Sequence, residues 1–281
     1  MKLATLRRNG ATVAARLDGD VYTEIGSYCD VGALLAERDW HAVAAAATGA
    51  RVSAADAELD AVVPDPSKVL CVGLNFRGHI EEMGRELPEY PTVFAKFADT
   101  LTGPNDPVLH IGEAAQMDWE GELVVVVGRA AHRVDEEEAA RCIAGYTVAD
   151  DISMRGWQYR STEWLQGKIW ARSTPIGPVM VTADEFDPRG ATLRTTVNGE
   201  TMQQHGLDDL LFGPPHLVSY LSTIIPLRPG DLILTGTPGG VGRARTPEIY
   251  LQAGDVVEVG IDGIGVLSNR IVASEDALSR A

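Results

Sequence analysis

Apolar residues along this chain gather in short runs separated by glycine-rich turns, and only rarely repeat with the period of a helix. From Lys68 onward the runs predict strands over 68–73, 92–97, 120–128, 143–150, 177–181, 191–198, 231–236, 256–260 and 264–273. One helix is expected near 213–224, ahead of the strand that starts at Asp231. The first 65 residues read differently. Residues 1–25 suggest short strands with turns at Asn9-Gly10 and Asp18-Gly19, and 31–48 is an alanine- and leucine-rich helical stretch. A polar segment, 49–66, ends in Pro64 and Pro66 and places a boundary near Asp65. The expectation is a small N-terminal α+β domain, 1–65, followed by a mostly-β α+β domain, 66–281.

Composition narrows the function classes without choosing one. A chain of 281 residues, 45% hydrophobic and 23% charged, is ordinary for a globular protein. Its formal net charge of −16 argues against nucleic acid and against anionic membrane surfaces as partners. Cys29, Cys71 and Cys142 stand far apart in no paired motif, which fits reduced thiols and offers neither a zinc site nor a disulfide framework. The N-terminus lacks the apolar core of a signal peptide, and no apolar run nears the ~18 residues that span a bilayer. A cytoplasmic protein is expected.

The candidate chemistry centres on Asp118-Trp-Glu-Gly-Glu122, which leads into the run Leu123–Val127. That run is apolar throughout and predicts a strand buried on both faces. Glu120 and Glu122, two residues apart, then point to one face, roughly 7 Å apart at Cα. Two carboxylates beside a core must either take up protons or hold something positive between them. Asp151, on a neighbouring strand, would complete an all-oxygen pocket of the kind Mg²⁺, Mn²⁺ or Ca²⁺ occupies.

Three further segments carry weaker signals. His79 and Glu82 lie three apart in a glycine-punctuated stretch, 73–84, so on one helical turn they share a face. A carboxylate beside an imidazole suits a general base, although a solvated surface pair has the same spacing. Lys168 sits between Trp164 and Trp170, as a buried amine or a snorkelling one. The loop Gly236-Thr-Pro-Gly-Gly-Val-Gly242 offers backbone amides and the Thr237 hydroxyl to a carboxylate, or is a plain turn. It lacks the Gly-Lys-Ser/Thr ending of a P-loop.

Taken in order, these pieces resemble the fumarylacetoacetate hydrolase family over essentially all of 68–273. The resemblance runs through Asn75-Phe76, Phe94-Ala-Lys96, Gly103-Pro-Asn-Asp106, Asp118–Glu122, Asp151-Ile-Ser-Met-Arg155, Gly167-Lys168, Pro175–Pro178, Asn198-Gly-Glu200 and Gly236-Thr-Pro238. The nearest branch comprises bacterial acylpyruvases and 2-hydroxyhepta-2,4-diene-1,7-dioate isomerases. The resemblance implies a mixed β-sandwich roll, a homodimer, and Mg²⁺ or Mn²⁺ held by Glu120, Glu122 and Asp151, with Ca²⁺ as a substitute in crystals. It also implies a His79–Glu82 dyad that activates water and a Lys168 that stabilises an enolate. Arg155, Gln158, Thr237 and Lys96 become substrate contacts.

The expected function is metal-dependent hydrolysis of a C–C bond in acylpyruvate-type 1,3-dicarbonyls through an enolate held at the metal. The alternatives are decarboxylation or tautomerisation of 2-oxo or 2-hydroxy-dienoate diacids, and a non-catalytic metal-binding homologue. Two departures from the family pattern stand out. Ala171 replaces an aspartate three residues after the lysine, and Leu207 replaces a threonine, which suggests a more apolar pocket. Met83, Trp157, Trp170 and Phe212 are candidates to line it, with core packing as the competing reading.

Overall fold

A computed structural model describes residues 1–82, 84, 86–112 and 115–273, with Glu82 seen in its backbone only. Two main sheets organise the described residues, beside a two-stranded pair of Met117–Asp118 with Ser153–Met154. The larger has 11 strands. Its spine runs from Arg51–Ser53 through Val21–Glu24, Ala11–Asp18 and Lys2–Arg8 to Thr174–Thr182, Ile143–Asp150, Gly121–Val127, Leu232–Leu234, Val69–Gly73 and Thr92–Lys96. The smaller, of five strands, is ordered Glu200–Gly206, Thr192–Val197, Val256–Ile261, Gly265–Ala273 and Val108–His110. The fold is mostly β, as the runs of apolar residues imply.

The strand Gly121–Val127 shows why a continuous valine run is needed at the centre. Leu123, Val125 and Val127 enter the core shared with Leu193, Val257 and Val259 of the smaller sheet. Val124 and Val126 enter a second core on the opposite face, with Leu3, Val31, Leu34 and Val62 of the N-terminal segment. All seven residues of the strand are buried. Both faces are therefore dry, and an alternating polar pattern would have been fatal to either core.

The N-terminal residues are built into the large sheet, since Lys2 and Leu3 pair with Val181 and Met180. The helical stretch expected over 31–48 is two helices, Val31–Leu35 and Trp40–Ala45. Asp30 caps the first by accepting from the Ala33 amide at 2.7 Å. The polar Glu37-Arg38-Asp39 interrupts the apolar face, and an aspartate is a better helix start than a helix interior. The strand expected over 177–181 runs from Thr174 to Thr182 and includes Pro175 and Pro178. The helix Pro214–Ile224 starts with proline, whose missing amide costs nothing in the first turn.

Candidate active site

Antiparallel pairing gathers the three acids. Gly121 lies opposite Asp150 and Glu122 opposite Ala149, and the Asp151 amide donates to the Glu120 carbonyl at 2.8 Å. Glu120, Glu122 and Asp151 are all buried, with one carboxylate oxygen of each within 4.8 Å of the others. Glycine is required between the glutamates because the smaller sheet comes close: a Cβ on Gly121 would lie 2.4 Å from the Thr195 hydroxyl. Gln203 braces the same point, accepting from the Gly121 amide at 3.1 Å and donating to the Thr237 hydroxyl at 2.8 Å. Thr237 in turn donates to the Gly121 carbonyl at 2.9 Å. Its proton is thus committed to the scaffold, and its oxygen accepts from Gln203.

Charge is distributed unevenly over the three acids. The Lys168 ammonium bridges Glu120 Oε2 at 2.6 Å and Asp151 Oδ2 at 2.8 Å. Lys96 reaches the other Asp151 oxygen at 2.5 Å. Burial would raise the Asp151 carboxyl, but Lys168 and Lys96 outweigh it and hold it below its ordinary range. Burial equally opposes the charge on Lys168, yet Asp151 and Glu120 keep its ammonium above the usual lysine range. Glu122 makes no ion pair with a lysine or arginine among the described residues; it accepts from the Gly236 amide at 2.7 Å. Burial, together with Asp151 and Glu120, pushes its carboxyl well up. An all-oxygen, buried cluster with one carboxylate short of positive charge fits a hard divalent cation. Among the described residues it is the one such group of three.

Arg155 is the best-anchored cation of the site. Its Nε donates to Asp118 Oδ2 at 2.9 Å, its Nη1 to Gln158 at 2.8 Å, and its Nη2 pairs with Glu120 Oε1 at 2.7 Å. Asp118 also accepts from the amides of Gly242 at 2.7 Å and Arg243 at 3.1 Å. One buried carboxylate therefore fixes both a cavity-lining arginine and a loop of the cavity wall. Asp118 was legible as the first acid of the alternating Asp118, Glu120, Glu122 series, but its role was not.

A cavity of about 650 Å³ opens over this cluster. Glu120, Glu122, Arg155, Gln158, Lys168, Thr237 and His79 all line it, beside Phe94, Trp164, Tyr159 and Arg243. Five of the expected catalytic and substrate residues are thus brought to one place with two of the acids, while Asp151 is held by Lys168 and Lys96. Lys96 is not among the lining residues; it supports Asp151 from the far side. The helix Arg77–Glu82 carries His79, while the Glu82 side chain and Met83 lie outside the described residues.

The two departures have separate outcomes. Ala171 is exposed, and the orientation of Lys168 is set by Glu120 and Asp151 without help from position 171. Leu207 is buried in the core between the sheets and is not among the cavity-lining residues, so it does not make the cavity apolar. Trp157, Trp170 and Phe212 pack against that core, and the aromatic wall is instead Phe94, Tyr159 and Trp164. Residue 73 must be glycine there, because a Cβ would fall 2.3 Å from the Trp164 ring.

Residues 68–272 match the family model for the C-terminal domain of fumarylacetoacetate (FAA) hydrolase, and the chain belongs to the fumarylacetoacetate hydrolase family. It is 39% identical over 224 residues to the Xenopus laevis protein named oxaloacetate tautomerase fahd2, mitochondrial, covering 79% of this chain and 70% of that one. It is 41% identical over 224 residues to oxaloacetate tautomerase YisK of Bacillus subtilis (strain 168), covering 78% and 74%. Among solved structures, it is similar to a 5-carboxymethyl-2-hydroxymuconate delta-isomerase from Mycobacterium smegmatis, with TM-score 0.82, 34% identity and coverage of 98% and 99%. It is also similar to a fumarylacetoacetate hydrolase from Exiguobacterium antarcticum, with TM-score 0.87, 30% identity and coverage of 97% and 99%. The chain is an enzyme of this family. No helix among the described residues is long and apolar enough to cross a membrane.

Proposed function

We propose that the protein is a divalent-metal-dependent keto–enol tautomerase of 2-oxo or 2-hydroxy-dienoate diacids, using Mg²⁺ or Mn²⁺, with oxaloacetate as the first substrate to test. The observation that carries it is the bridging of two metal-site carboxylates by the Lys168 ammonium, in a cavity that also presents His79. Relatives named as oxaloacetate tautomerases support the same reaction class. Glu120, Glu122 and Asp151 would hold the metal, which when bound supplies a Lewis acid to polarise the 2-oxo group.

The chain's own residues do the rest. Lys168, kept protonated by two carboxylates, serves as a hydrogen-bond donor to the oxygen that gains negative charge as a proton leaves carbon. It cannot also be the base. Arg155, its charge fixed by Asp118 and Glu120, orients the substrate together with Gln158. An imidazole takes and returns protons near neutral pH, which assigns the transfer between carbon and oxygen to His79. No water is consumed.

Hydrolysis of an acylpyruvate-type 1,3-dicarbonyl is the second reading. The volume of the cavity, about 650 Å³, favours it by leaving room for a water beside a 2-oxo acid. One experiment separates the two. Metal-loaded protein is incubated with oxaloacetate and with acetylpyruvate, with and without EDTA, and products are followed by NMR. Metal-dependent enol–keto exchange of oxaloacetate supports the tautomerase. Acetate and pyruvate from acetylpyruvate alone would replace it with hydrolysis, and silence on both substrates would overturn both.

A further inference from the structure

The cations lining the cavity are of two kinds. Lys168 and Arg155 are buried and already bonded to carboxylates at 2.6–2.9 Å. Arg243 also lines the cavity, but its side chain is 41% exposed. The one carboxylate within 4 Å of its guanidinium among the described residues is Glu248, at 3.8 Å and itself 44% exposed. That separation is too long for a hydrogen bond. Glu248 is engaged elsewhere, accepting from the Tyr250 hydroxyl at 2.6 Å.

The position of Arg243 is nevertheless fixed. Its guanidinium lies over the Tyr159 ring, 4.4 Å from the centroid, and Tyr159 is itself part of the cavity wall. The guanidinium also donates to the Tyr250 hydroxyl oxygen, and stacking leaves its remaining in-plane N–H groups available for a carboxylate, in the fork geometry that lysine lacks. Its backbone amide is held by Asp118, the carboxylate that also anchors Arg155. Asp118 therefore sets the outer arginine in register with the inner one.

We propose that Arg243 is a specificity-determining residue that recognises a second, distal carboxylate, so that the site selects dicarboxylates over monocarboxylates of the same length. The proposal rests on the reading that the acidic floor, through its metal, takes the 2-oxo acid end. The cavity of about 650 Å³ falls within the range of sites that hold ligands of more than a few atoms. It accommodates a carbon chain between the two ends.

The test is binding, so it does not depend on turnover. Calorimetry on Mg²⁺-loaded protein compares 2-oxoadipate with 2-oxohexanoate, which has the same chain without the terminal carboxylate. Wild-type protein is expected to favour the diacid by about tenfold, the worth of one partly solvated charge-assisted contact. Arg243→Gln should bring the ratio of the two dissociation constants close to one. Glu248→Gln, which removes the competing anion, should raise it. A ratio unchanged in Arg243→Gln, or no preference in the wild type, would overturn the proposal. Loss of tautomerase activity with the selectivity intact would instead sink the proposed reaction and leave this assignment standing.

Discussion

Asp118 and Arg155 form a buried ion pair, 2.9 Å from Oδ2 to Nε, in which the carboxylate belongs to the approach of the glutamate strand and the guanidinium to the cavity wall. The pair converts the fixed geometry of the sheet into a fixed orientation for an arginine that lines the cavity. Asp118→Asn keeps the shape and an acceptor for the Gly242 amide but removes the charge facing Arg155. The expected result is a KM for oxaloacetate raised about tenfold with a smaller change in kcat, since a hydrogen bond between charged groups is worth about 1.5–3 kcal/mol. Steady-state kinetics check it; a wild-type KM would mean that Arg155 does not touch substrate.

Glu122→Ala should abolish activity and weaken Mg²⁺ binding by on the order of a hundredfold or more, because outer-shell partners alone account for 10–100-fold. The strand beneath it, buried on both faces, should remain intact. Calorimetric titration with Mg²⁺ and a far-ultraviolet spectrum decide the matter. Unchanged metal affinity would remove Glu122 from the ligand set.

Lys96→Met leaves Asp151 buried with one cationic partner instead of two. Breaking a buried pair this way costs about 3–5 kcal/mol. The loss should appear in urea unfolding of the metal-free protein and shrink on adding Mg²⁺, which supplies the missing positive charge. An equal loss with and without metal would show that Lys96 acts by packing alone.

Gly236 adopts φ of +98°, and a Cβ there would sit 2.8 Å from the Val72 carbonyl oxygen. Gly236→Ala should cost about 1–3 kcal/mol of stability and displace the amide that Glu122 uses. Both effects are read in one set of thermal melts with increasing Mg²⁺: a lower starting Tm and a weaker metal response. A mutant with the normal metal response would dissociate the loop from the site.

Burial, with Asp151, Glu120 and Asp118 adding to it, lifts the Asp150 carboxyl to about 7. In the unfolded chain the same group titrates near about 4. The folded state therefore keeps a proton that the unfolded state has released, and stability of the metal-free protein should fall as pH rises from about 4 to 7. Asp150→Asn preserves the acceptor for the Glu120 amide and should flatten that slope. Urea titrations at about pH 5 and about pH 8 compare the two proteins; parallel slopes would assign the pH dependence to other groups.

Much of the site was readable because it follows from strand chemistry. Alternation puts Glu120 and Glu122 on one side, and a valine run with no polar interruption demands burial on both faces, as observed for Gly121–Val127. What the sequence could not supply were contacts across long separations. Lys96 has the residue type of a substrate contact, yet pairing of its strand beside Val69–Gly73 turns it toward Asp151. Gln203 reaches Gly121 from another sheet, a link that no local pattern encodes. Arg243 shows no motif at all; its significance comes from Asp118, 125 residues earlier. The helix expected over 31–48 divides for a reason that was visible, the Glu37-Arg38-Asp39 interruption, but apolar content hid it.

The strand that carries Glu122 and directly follows Glu120 is also the partition shared by both hydrophobic cores. A strand so placed has no independent way to open: its amides exchange with solvent only when the entire sheet comes apart. The carboxylates are consequently as durable as the fold itself, and heat should extinguish catalysis and native structure in a single event. Adaptation to a new substrate is correspondingly left to the cavity rim, where Arg243 and Tyr159 can be exchanged without disturbing either core.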